Sequence, residues 1–126
     1  MTAAVREIAI EHLGKDDMLD VEARAGTENA RRETEPVPPG SHGEPILFTL
    51  VLASVALKAY VAHLSYKAAM LPEKSISQTV EIRRVDGTIE RRELTFEVRT
   101  GEHFSDAALR TLTEVPGLAE AVGEYT

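Results

Sequence analysis

The stretch from Pro45 to Leu71, PILFTLVLASVALKAYVAHLSYKAAML, constrains this chain more than any other, because it is the longest apolar run and any fold must bury most of it. Pro45 suits a first helical position, where its missing N–H has no intrahelical partner to lose. At about 100° per residue, the run makes a helix with two apolar faces. Ile46, Leu50, Ala53, Leu57, Val61, Leu64, Ala68 and Leu71 line one face, and Phe48, Val51, Leu52, Val55, Ala59, Ala62, Tyr66 and Met70 line the other. Polar stripes separate them, with Ser54, Lys58 and Ser65 on one side and Thr49, His63 and Lys67 on the other. A helix lying on a single core needs one apolar face, so this one is expected to have two neighbours. The expectation is one long central helix that packs on its own sheet and also on a protein partner or a second copy. Phe48, Val51, Val55, Ala59, Ala62 and Tyr66 would then be the interaction residues.

The uncharged part of this run ends at Lys58, thirteen residues after it begins. A bilayer requires about twenty apolar residues, and a Lys near mid-span costs roughly 2.5–3.5 kcal/mol on insertion scales. Residues 1–20 contain no apolar signal-peptide core. A soluble, cytoplasmic chain is therefore expected, with a membrane-associated accessory protein, anchored through residues 45–71, as the alternative.

Composition narrows the function classes. Cysteine is absent, which excludes disulfides, thiolate metal sites and cysteine nucleophiles. The net charge of −7 disfavours general binding to nucleic acid or anionic lipid. No Trp, three Phe and three Tyr leave little for aromatic platforms. Residues 1–44 are net −5 and residues 76–126 net −4, whereas residues 45–75 are net +2, so the apolar run is the one net-positive region.

Elsewhere the chain reads as a single α+β domain. Val5, Ile8, Ala9, His12 and Leu13 follow helical spacing after a Thr2 cap, so residues 3–13 are expected as a short helix, although Glu7–Glu11 also alternate as a strand would. Leu19, Val21, Ala23 and Ala25 alternate with polar residues, the pattern of an edge strand over 18–25. Residues 26–44 are rich in Pro and Gly and read as a solvated linker, with a partner-binding arm as the rival. The clearest local signal is Asp86-Gly87 between Ser77–Val85 and Thr88–Val98. A three-residue turn, with Gly87 left-handed, puts Val80 and Ile82 on the same face as Leu94, Phe96 and Val98, whereas a two-residue turn separates them. Glu81, Arg83, Arg91, Glu93 and Glu97 are left on the other face, in line with a solvated charged surface, or less simply with an RNA-contacting arginine set. Ser105 is expected to cap a last helix ending near Glu114, before Pro116-Gly117, and Leu118–Val122 to fray or form a single turn.

No chemistry stands out. His12, His42, His63 and His103 are in no metal-ligand spacing, and His63 alone is expected to be buried. Asp16, Asp17 and Asp20 read as turn carboxylates without apolar cover, and phosphate-binding glycine motifs are missing. No cofactor or metal is expected, and the reading leans away from an enzyme.

The order of a small-residue-rich apolar helix, the strand pair TVEIRRVDGTIERRELTFEV and a short terminal helix resembles the effector-associated constant components, small accessory domains found beside effector enzymes in bacterial conflict systems. The resemblance spans residues 46–114 and lies in layout, with the VDG turn as its local match; the glycine-rich segment before the helix is missing, and no functional residue carries over. It implies a bacterial accessory subunit. A non-enzymatic interaction protein is the leading expectation, with a small ligand-binding or enzymatic domain, its pocket along the helix, as the alternative.

Overall fold

A computed structural model describes residues 3–33, 48–71 and 75–118 of the protein. The order is β1 (Val5–Leu13), α1 (Lys15–Ala25), β2 (Ala30–Glu33), β3 (Phe48–Ala53), a 3-10 turn (Ser54–Ala56), α2 (Leu57–Ala69), β4 (Ser75–Arg84), β5 (Ile89–Glu97) and α3 (Phe104–Thr113). The α+β class is as expected, but the sheet is larger: five antiparallel strands in the order β2-β3-β1-β4-β5. β1 lies at its centre, so the β1-α1-β2 and β3-α2-β4 connections each step over one strand. Ile8, Ile10, Leu50, Leu52, Val80, Ile82, Leu94 and Phe96 face the helices and form one core with Met18, Val21, Leu57, Tyr60, Leu64, Ala108 and Leu112.

The single long helix over 45–71 is not formed. Phe48–Ala53 is a strand paired with β1 and β2, and only Leu57–Ala69 is α-helical. A strand buried on both faces has no alternation, so FTLVL carries the same apolar signature as a buried helix segment. Ala53, extended at φ −70° and ψ 160°, is where strand gives way to helix.

The first 25 residues are also exchanged. The expected helix over 3–13 is β1, and the strand reading of Glu7–Glu11 prevails because β3 and β4 pair on either side. The expected edge strand over 18–25 is α1, which buries Met18 and Val21 and leaves Leu19 exposed. Asp16 and Asp17 in its first turn and Arg24 in its last complement the helix dipole. Within the expected linker, Ala30–Glu33 forms β2 against β3; residues 34–44 lie outside the described residues.

The β4–β5 hairpin has the three-residue turn. Arg84 N–H donates to Thr88 O at 3.0 Å, Gly87 N–H donates to Arg84 O at 3.0 Å, and Gly87 has φ 89°. α3 begins at Phe104, with His103 rather than Ser105 as its N-cap, and Leu118 is buried in the core within a turn, while residues 119–122 lie outside the described residues.

Candidate functional site

α1 and α2 pack side by side, and polar side chains clasp them together. Asp17 and Asp20 are three apart on α1, so both carboxylates lie on the face that meets α2. His63, 3% exposed, stands between them. Its Nδ1 donates to Asp20 Oδ2 at 2.7 Å, since a carboxylate can only accept. Its Nε2 is 3.2 Å from Asp17 Oδ1 but makes no hydrogen bond there. Lys67 Nζ donates to the other Asp17 oxygen at 3.0 Å. The hydrogen bond from His63 is the main reason the Asp20 carboxyl lies below its ordinary range, with Arg24 adding to it against a burial cost. Below the clasp, Tyr60 packs edge-on against Phe96, with ring centroids 6.2 Å apart. Burial, and then the charge of Asp17, pushes the Tyr60 hydroxyl upward. The imidazole is sealed from solvent, so what this cluster does is lock α1 to α2.

Outside the clasp, α2 and the residues at its two ends present apolar side chains to solvent. Val55 is 68% exposed, Tyr66 57% and Met70 63%, with Ala62 half-buried between them. Lys58 is exposed beside them and has no ion-pair partner among the described residues. A groove of about 390 Å³ runs from the end of α1 to the start of α2, lined by Arg24, Ala25, Asn29, Val55, Lys58, Ala59 and Ala62.

The six residues expected on one interaction face are therefore divided. Val55, Ala59, Ala62 and Tyr66 share the outer side of the turn and helix, although Ala59 is buried against α1. Phe48 and Val51 are in β3, on opposite faces of the sheet: Phe48 packs against the core, and Val51 is buried on the other face. Asp17 and Asp20 were not expected at a site. Their spacing marks them only once residues 15–25 are read as a helix.

The face of the sheet away from the helices carries an ion-pair lattice. Arg31 binds Glu7 through two hydrogen bonds of 3.0 and 3.1 Å, and Arg83 binds Glu33 through two of 2.9 Å while also reaching Glu7 and Glu81. Burial alone would raise the Glu7 carboxyl, but the hydrogen bonds from Arg31 and Arg83 outweigh it and hold it low. Glu33 is held low chiefly by Arg83. Arg91 grips Glu11 in the same way, at 2.7 and 3.1 Å. Glu7 and Glu11 are buried, so this surface is less solvated than the hairpin alone implies.

Among the described residues, no group of three or more His, Asp and Glu side chains is placed to hold a metal ion, and no helix is long and apolar enough to cross a membrane. Comparison with protein-family models, curated proteins and solved structures finds no match.

Proposed function

We propose that this chain is an accessory interaction domain whose exposed α2 side receives an acidic amphipathic helix of a protein partner. The exposure of Val55 in the turn before α2, Tyr66 on the helix and Met70 at its C-cap carries this reading. Solvent-facing apolar residues are ordinary when scattered, but three on one side, with half-buried Ala62 between them, offer a docking helix spaced anchors. Lys58 beside them, in the net-positive segment of a chain of net charge −7, favours a partner with acidic flanks. The clasp at His63 keeps α2 rigid and reduces the ordering cost of docking.

The test uses a labelled amphipathic peptide with Leu at helical spacing and Glu on its remaining positions. Fluorescence anisotropy is expected to show binding that weakens at least tenfold in Val55→Asp, with the melting temperature unchanged because Val55 is solvent-facing. Leu57→Asp places a charge at a site 1% exposed and is expected to unfold the domain. No binding to the parent chain, or equal binding to Val55→Asp, overturns the reading. Self-association of the parent that Val55→Asp abolishes overturns the partner helix in favour of a second copy.

A further inference from the structure

We propose that the outer edge of β5 pairs antiparallel with β5 of a second copy of this chain, with Arg91 opposite Glu93 of the second copy, so that the sheet continues across a two-fold dimer.

Among the described residues β5 pairs only with β4. The hydrogen bond from Arg84 N–H to Thr88 O, with the uninterrupted register from Arg83–Ile89 to Ser75–Glu97, fixes which backbone groups are used. Even-numbered residues of β5 direct N–H and C=O towards β4. Ile89, Arg91, Glu93 and Thr95 direct theirs away, as a template for another strand, although the Thr95 carbonyl also meets the Thr111 hydroxyl at 3.5 Å.

That edge is also a groove wall. Spaces of about 530 and 400 Å³ lie between β5 and α3, lined by Thr95, Glu97, Arg110, Thr111 and Glu114, and at the other end by Arg92 and Glu93. α3 flanks only one half of the strand: Arg110 donates to Glu97 O at 3.0 Å, Thr111 Oγ1 is 3.5 Å from Thr95 O but donates more closely to Ala107 O at 3.0 Å, and Arg92 reaches Glu114 O at 3.5 Å. An antiparallel copy centred on Arg92 lays its residues 88–91 along this flanked half and offers its own groove in return. The two α3 helices then lie on opposite sides of the axis.

Charge favours that centre over the adjacent registers. Exposed edge strands usually carry charges that prevent pairing. With the axis at Arg92, Arg91, whose Nε and one terminal nitrogen hold Glu11, turns its remaining side towards Glu93 of the second copy twice over, and Ile89, 61% exposed, faces Thr95. Moving the register by two residues sets Arg91 against itself or Glu93 against itself. Shifts by one residue align outward backbone groups with inward ones. Arg92 meets its counterpart at the axis, but each is bound to Glu90 at 3.0 Å.

Sedimentation equilibrium of the full chain is expected to give twice the 13.8 kDa chain mass. Glu93→Pro removes an edge N–H that β4 does not use, and Glu93→Arg sets like charges across the pair. Both are expected to keep the circular dichroism spectrum and to weaken the dimer at least tenfold, while Val55→Asp leaves it intact. The chain has no cysteine, so Arg92→Cys introduces a single thiol at a non-hydrogen-bonded pair about 4.5 Å apart between Cα atoms. Mild oxidation is expected to cross-link Arg92→Cys but not Thr95→Cys. A monomeric parent chain, a dimer that survives both Glu93 substitutions, or cross-linking of Thr95→Cys in preference to Arg92→Cys overturns the proposal.

Discussion

Gly87 and Gly117 have nearly the same backbone, φ 89° and φ 85°, in very different surroundings. A Cβ at Gly87 would meet nothing within 4 Å, whereas one at Gly117 would lie 2.4 Å from the carbonyl oxygen of Ala3. Substitution by Ala at either position costs about 1 kcal/mol or slightly more for holding an L-residue in the left-handed region. At Gly117 the obstacle is backbone, which must retreat about 1 Å to reach ordinary contact. That movement breaks the hydrogen bond from Val5 N–H to Gly117 O, 3.2 Å in the native fold, and disturbs the packing of Val5 and Leu118. The lost bond is worth about 1 kcal/mol and the overpacking about 1–3 kcal/mol. Gly117→Ala is therefore expected to lose about 3–5 kcal/mol and Gly87→Ala about 1 kcal/mol. Urea unfolding followed by circular dichroism, with m-values confirming that the transitions are comparable, measures both. Equal losses would mean that Ala3 yields freely and that the junction between β1 and the segment after α3 is not packed as described.

His63→Ala removes the buried ring between Asp17 and Asp20 and is expected to cost about 2–3 kcal/mol in urea unfolding, with amide exchange in α1 accelerating first. A parent-like α1 would show that apolar contacts alone hold the two helices. Stability should also fall in acid. Asp20, Glu7 and Glu33 have carboxyls held below their ordinary range, so their contribution is complete above about pH 4.5 and is lost as pH falls through the lowered folded values. A urea midpoint unchanged between neutral pH and pH 3 would contradict the lattice and the clasp together.

The hairpin was readable because turn chemistry and side-chain parity agreed: Gly87 and the shared face of Val80, Ile82, Leu94 and Phe96 follow from a few residues. Period alone could not separate FTLVL as a strand from FTLVL as a helix, since burial on both faces erases the alternation. α1 was missed because Leu19 and Ala23, exposed in the fold, completed a coincidental two-residue period. With α1 misread, Asp17 and Asp20 could not be placed on one face, and the clasp went with them. Half of the expected interaction face, Ala59, Ala62 and Tyr66, lies on the helix from Leu57 onward and keeps its helical spacing; Val55 joins that side from the 3-10 turn, and Phe48 and Val51, in β3, do not.

The central place of β1 has a consequence for synthesis. Its neighbours β3 and β4 begin at Phe48 and Ser75, so Val5–Leu13 leaves the ribosome long before either partner exists. Closing the intervening loops makes the sheet slow to nucleate. During that wait the strand must not find a foreign edge. Glu7 and Glu11, set among Ile8, Ala9 and Ile10, supply the charge that keeps a nascent apolar segment apart from others. The same two carboxylates later become the inner anchors for Arg31, Arg83 and Arg91. One pair of residues thus protects the growing chain and fastens the finished one.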